Sequence, residues 1–78
     1  MNAVDLTKKL ISIPSYVDSS TNEREIAEYV YQYLSNISWL TTVKQNVENN
    51  RFNVIAYSSL SPKLLLVGHL DTVQPSAN

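Results

Sequence analysis

The chain has no cysteine among its 78 residues, which excludes disulfides and cysteine-ligated zinc and agrees with a reducing compartment. Any bound metal must then be held by His, Asp or Glu. There is one histidine, so an imidazole site has a single candidate, His69. No apolar run approaches the roughly 18 residues needed to span a bilayer. The opening stretch Met1-Asn2-Ala3-Val4-Asp5-Leu6-Thr7-Lys8-Lys9 lacks a basic region followed by a long apolar segment, so it does not read as a secretory signal. A cytoplasmic chain without membrane contact is the expectation. Asn36-Ile37-Ser38 matches a glycosylation acceptor triplet, but no secretion signal accompanies it. Nor is there an excess of charge. Six Lys+Arg against seven Asp+Glu give a net charge of −1, and the basic residues are scattered, so a nucleic-acid partner gains no support.

Size is the next constraint. A chain this short seldom assembles a core giving more than about 3–5 kcal/mol without a disulfide or metal to staple it. From Ala3 to about Ile11, Val4, Leu6, Leu10 and Ile11 fall at spacings compatible with one helical stripe, and Pro14 closes the segment by biasing Ile13 away from helical geometry. Tyr16 to Ser20 read as an exposed loop. A second helix is predicted to begin near Ser20-Thr21-Asn22-Glu23, where Ser20 and Glu23 have capping-box spacing. Glu23, Glu25 and Glu28 lie in its early turns, where the helix dipole favours negative charge; this solvated role, not acid–base catalysis, is the one assigned to them. Ile26, Val30, Leu34 and Ile37 form its buried stripe, widened by Ala27 and Tyr33. Tyr29 and Tyr33 share a face while Tyr31 points elsewhere, so the three do not make one stacking platform.

Thr41-Thr42-Val43-Lys44-Gln45-Asn46-Val47 is rich in β-branched residues and partly alternating, as in a strand with one solvated face. Glu48-Asn49-Asn50-Arg51 is read as a four-residue turn leading to a second strand, Phe52-Asn53-Val54-Ile55-Ala56-Tyr57, and the pair as an antiparallel hairpin. Ser58 to Pro62 turns the chain into a last apolar run, Lys63-Leu64-Leu65-Leu66-Val67, bounded by Gly68. That run reads as a strand covered on both faces, the pattern of a parallel sheet in an α/β protein. The expected fold class is therefore α/β, with two helices, a hairpin and a buried strand.

The buried strand would end at His69-Leu70-Asp71. In open α/β sheets, ligands gather at the strands' carboxyl ends. At a strand-like spacing of two, His69 and Asp71 project to one side with α-carbons roughly 6 to 7 Å apart, which suits an imidazole and a neighbouring carboxylate. Two plainer readings stand beside this one. His69 could close a core strand and bind nothing, and Asp71 could cap a following turn.

The segment Gly68-His69-Leu70-Asp71-Thr72-Val73, with Leu10-Ile11-Ser12-Ile13-Pro14-Ser15, Asn22-Glu23 and Asn53-Val54-Ile55-Ala56 in order before it, resembles the opening of the zinc-dependent aminoacylases, deacetylases and carboxypeptidases. That family includes acetylornithine deacetylase, succinyl-diaminopimelate desuccinylase and several dipeptidases. The resemblance implies that His69 binds one of two adjacent zinc ions, with cobalt or manganese as substitutes, and that Asp71 orients the imidazole. It implies a hydrolase acting on the amide bond of N-acyl amino acids or small peptides, cytoplasmic, and in full-length form a homodimer.

The family's bridging aspartate, Glu-Glu pair, further acidic ligand and distal histidine have no counterparts in this sequence. The resemblance thus makes residues 1–78 the amino-terminal portion of a mixed-sheet α/β catalytic domain, with the remainder and the dimerisation domain absent, and inactive alone. A strand from later in the family's chain separates this hairpin from the strand leading to His69, so poor independent stability and association are expected. The alternative is a non-catalytic α/β remnant or interaction module.

Overall fold

The computed structural model describes residues 2–48, 50–58 and 65–73. Its elements are α1 (Ala3–Ile11), α2 (Arg24–Ser35), β1 (Thr41–Glu48) and β2 (Arg51–Tyr57), a small α/β arrangement in which α2 packs on both strands of an antiparallel pair.

Each helix begins where a side chain satisfies free backbone donors. Asn2 is extended (ψ 174°) and its Oδ1 accepts from the Asp5 amide at 2.8 Å, the geometry of an N-cap. Asp5 in the first turn and Lys8 and Lys9 in the last match the helix dipole. At the other end the Ser12 hydroxyl donates to the Lys9 carbonyl at 2.6 Å, and the Ile13 amide to that of Leu10 at 3.2 Å. The chain then turns at Pro14, and Ile13 is buried.

The predicted capping box at α2 does not form. Ser20 is held in the preceding loop, where Asp18 Oδ1 accepts from the amides of Ser20 (2.8 Å) and Thr21 (2.7 Å) and from the Ser20 hydroxyl (3.3 Å). Asn22 Oδ1 accepts from the Arg24 amide at 2.9 Å instead. Glu23 occupies the N-cap position without a capping bond, because its carboxylate reaches across to Arg51 Nε at 2.7 Å. A charge-assisted bond between elements is roughly twice as strong as a neutral one, and it outcompetes the local cap. The second carboxylate oxygen, Glu23 Oε2, is buried without a hydrogen-bond partner among the described residues.

The row Glu23, Ala27 and Tyr31 recurs every four residues and faces the hairpin. Glu23 meets Arg51 at the head of β2, Lys44 Nζ of β1 lies 4.7 Å from the Tyr31 ring centroid, and Ala27 between them is wholly buried. Ile26 is buried on the neighbouring face, whereas Val30, Leu34 and Ile37 are only half-buried. Tyr29 and Tyr33 do share a face, with ring centroids 6.3 Å apart and Lys9 Nζ 5.4 Å above Tyr29.

The hairpin is tighter than the sequence predicts. Glu48 and Arg51 are themselves paired and joined by a 3.1 Å ion pair, so the connection is residues 49–50 instead of four. The register runs from Thr41 opposite Tyr57 to Asn46 opposite Phe52, then shifts, leaving Val47 as the extra residue of a bulge. Asn50 takes φ 66°, a left-handed conformation that asparagine tolerates better than most residues. The face carrying Phe52 and Lys44 is turned to α2, with Lys44 Nζ 4.8 Å from the Phe52 centroid. The opposite face, with Val43 directly across from Ile55, is exposed.

The expected buried strand is the main disagreement. Lys63 and Leu64 lie outside the described residues. Leu65, Leu66 and Val67 adopt no strand and are 79%, 85% and 85% exposed. An apolar run becomes a buried strand only where a sheet offers it a hydrogen-bonded neighbour and a covering layer, and the described sheet is the hairpin alone. The described core is correspondingly small: Ile13, Ile26, Ala27 and Phe52, with Ser15 as the buried polar residue. No described helix is long and apolar enough to cross a membrane.

Two measurements check this framework. Asn50→Val should cost about 1–2 kcal/mol, the penalty of forcing a β-branched side chain into the left-handed region, while Asn50→Gly should be nearly neutral; equal stabilities in chemical denaturation would contradict the turn geometry. Glu28 accepts from Lys44 Nζ at 2.7 Å and from Gln32 Nε2 at 3.2 Å, and these contacts hold its carboxyl below the ordinary 4.5. A depressed folded-state pKa contributes stability that is present above the unfolded value and lost as pH falls through the folded one. Carbon-detected NMR should therefore place the Glu28 midpoint below 4.5 and find it raised in Lys44→Gln.

Candidate functional site

His69 and Asp71 lie on a segment with no helix or strand of its own, in residues 65–73. What ties this segment to the body is the loop that follows α1. The Thr72 amide donates to the Ser15 carbonyl at 3.2 Å, Tyr16 and Thr72 form a single parallel bridge, and the Ser15 and Thr72 hydroxyls lie 3.4 Å apart. Pro14 explains why the loop is open to pairing here: it ends α1 and steers the chain into extended geometry. The segment thus runs beside Ser15 and Tyr16, and not at the end of a sheet strand as the sequence suggested.

Between them the loop and the segment enclose a groove of about 540 Å³. Leu10, Ile11, Ile13 and Ile26 supply apolar lining, and His69 and Asp71 supply the functional groups. The imidazole is 84% exposed among the described residues.

Two acceptors converge on one ring nitrogen. His69 Nδ1 is 2.8 Å from the Asp71 carbonyl oxygen and 3.2 Å from Asp71 Oδ1. Both are oxygens that can only accept in their usual states, so in the neutral ring Nδ1 carries the hydrogen and shares it between them. Nε2 is left with its lone pair. Ring orientation by a carboxylate, with the other nitrogen free to ligate, is the arrangement that metal-binding histidines adopt. The sequence placed the two residues side by side on a strand; here they meet in a segment without strand structure, and the Asp71 backbone carbonyl takes part at the shorter distance.

The same geometry limits what the site can do. No group of three His, Asp or Glu side chains able to hold a metal occurs among the described residues, whereas a catalytic zinc takes three protein ligands and water. Glu23, Glu25 and Glu28 do not join His69: Glu23 and Glu28 are engaged with Arg51 and Lys44, and Glu25 lies exposed in the first turn of α2. The donors present fit one imidazole ligand and its orienting carboxylate. Ser15 and Thr72 are the residues whose part the sequence reading missed; both stood in the quoted motifs, but nothing in a linear pattern shows that positions 57 apart meet.

With His69 the sole histidine, its tautomer is directly observable. Nitrogen-detected NMR at a pH where the ring is neutral should show the Nδ1–H form dominant. Asp71→Ala should lower that fraction without abolishing the preference, since the backbone carbonyl remains; a dominant Nε2–H form in the parent chain would contradict the geometry.

The chain is similar to fungal proteins named probable carboxypeptidases. It is 39% identical over 77 residues to one from Emericella nidulans, covering 92% of this chain and 17% of that protein. It is 34% identical over 70 residues to one from Aspergillus clavatus, covering 87% and 16%, and 35% identical over 79 residues to one from Aspergillus niger, covering 87% and 18%. The chain thus spans less than a fifth of the length of each. No protein-family model matches it, and no solved structure matches it significantly.

Proposed function

We propose that this chain supplies one metal ligand, His69, and its orienting carboxylate, Asp71, to the centre of a metal-dependent peptidase or amidohydrolase of carboxypeptidase type. The observation that carries the reading is the pairing of His69 Nδ1 with both Asp71 oxygens, which leaves Nε2 as the only ring nitrogen able to ligate. Similarity over most of the chain to proteins named probable carboxypeptidases supports the hydrolase class. Zinc is one of the metals that imidazole ligands suit, and two such ions are the arrangement that the family resemblance favours. A bound metal would polarise the scissile carbonyl and activate water; this chain's part is to present the imidazole in one tautomer. The substrate class is an N-acyl amino acid or small peptide, with deacetylase, desuccinylase and dipeptidase chemistries all within it, and a cytoplasmic, homodimeric full-length enzyme accords with the reading.

On this reading the 78 residues alone are inactive, because the remaining ligands lie elsewhere. Zinc titration should perturb the His69 Nε2 resonance, and the perturbation should vanish in His69→Ala. Turnover of N-acyl amino acids or peptides by the isolated chain should not rise above that control. In the longer protein that the reading requires, Asp71→Ala should weaken metal binding about 10–100-fold. An unchanged metal affinity there would sink the assignment. A second reading, an interaction module without chemistry, draws on the exposure of Leu65, Leu66 and Val67; it is the one left standing if zinc fails to perturb His69.

A further inference from the structure

We propose that Ser15 and Thr72 are positioning residues that set where the His69 imidazole stands relative to the fold; the functional meaning of this rests on the reading of His69 as a metal ligand. Ser15 is the buried polar residue of the described core, only 3% exposed, and it lies immediately after the proline that ends the first helical segment. Its carbonyl accepts the Thr72 amide at 3.2 Å and its hydroxyl faces that of Thr72 at 3.4 Å. The backbone bond is the stronger of the two, since 3.4 Å is long for a hydroxyl pair.

These bonds tie residues 65–73 to the loop after α1, and the Asp71 carboxylate also interacts electrostatically with Arg51. The polar contacts of His69 itself are with Asp71, on the same segment, and fix the ring's tautomer. Upstream, Leu65 to Val67 are exposed and unpaired. Thr72 follows Asp71 directly. The bridge at Tyr16 and Thr72 therefore holds the residue next to the His69–Asp71 pair against the loop that lines the groove.

The test is made on the full 78-residue chain without metal, so its failure is separate from failure of zinc to perturb His69. The readout is the set of nuclear Overhauser contacts expected from the His69 ring protons to the methyl groups of Leu10, Ile11 and Ile13, residues that line the same groove; their absence from the parent chain would overturn the proposal. Thr72→Pro deletes the amide donor, Thr72→Val keeps it and removes the hydroxyl, and Thr72→Ser keeps both. The cross-strand contact between Val43 and Ile55 serves as the folding control. The expected result is loss of the ring contacts in Thr72→Pro, partial loss in Thr72→Val and retention in Thr72→Ser, with the control contact intact in all three. Ring contacts that persist in Thr72→Pro, or that are missing from Thr72→Ser, would overturn the proposal. So would loss of the Val43–Ile55 contact together with the ring contacts, because Thr72 would then support the fold in general and not the imidazole.

Discussion

Everything described in this chain is arranged around the close approach of α2 to the hairpin at Ala27. A side chain of one methyl, wholly buried, lets the helix lie against the sheet, and the two flanking positions of the same row then reach across. Glu23 takes Arg51 and Tyr31 takes Lys44, so the contact has an apolar centre and charged ends. Phe52 is buried on the sheet's side of it, with Lys44 Nζ 4.8 Å from its ring centroid. Truncating a buried phenylalanine costs about 3–5 kcal/mol, which is the whole of what a core this size supplies. The helix–hairpin unit consequently has no redundancy: its few contacts must all be made at once.

Outside that unit stand α1 and the segment 65–73. α1 has no buried residue, and its link to α2 is made by Lys9 over Tyr29 and by the groove that Leu10, Ile11 and Ile26 share. Ile26 is the hinge between the two halves, since it belongs to the core and also lines the groove on which His69 stands. The His69–Asp71 segment itself is exposed, while the groove beside it is lined by Ile13, Ser15 and Ile26 of the described core. This division agrees with the general finding that functional groups ride on loops positioned by a more rigid scaffold.

What could be read from the sequence follows from the range of each interaction. The bounds of α1, the existence of α2 and the pairing of the two strands were legible, because helical periodicity, β-branched runs and turn residues act within a few positions. The closeness of His69 and Asp71 follows from their separation of two, but the strand from which it was read is absent among the described residues. The capping box at Ser20 and Glu23 was misread because a distant residue, Arg51, competes for the glutamate, and Asp18 holds the serine. The hairpin connection was misread because Glu48 and Arg51 look like turn residues yet form the final pair. The apolar run after Pro62 was misread because hydrophobicity specifies that a segment wants cover and is silent on what covers it; where described, it lies open to solvent. Ser15 and Thr72 had no local signal at all.

The weights of these contacts also say what the anchor on Ser15 can and cannot accomplish. An intramolecular hydrogen bond contributes about 0.5–1.5 kcal/mol net, whereas fixing the backbone of one residue costs about 1–2 kcal/mol. One backbone bond cannot therefore immobilise the segment from Leu65 to Val73 by itself, and Leu70, half-buried in the groove, is the apolar contact that adds to it. The bond from Thr72 to Ser15 ties the segment to the loop at one point beside Asp71. Holding the imidazole to the fraction of an ångström that metal ligation demands takes more buried surface than these residues provide. Leu65, Leu66 and Val67 are the surface still open for it, directly upstream of His69, so covering that run would stiffen the ligand through its own backbone.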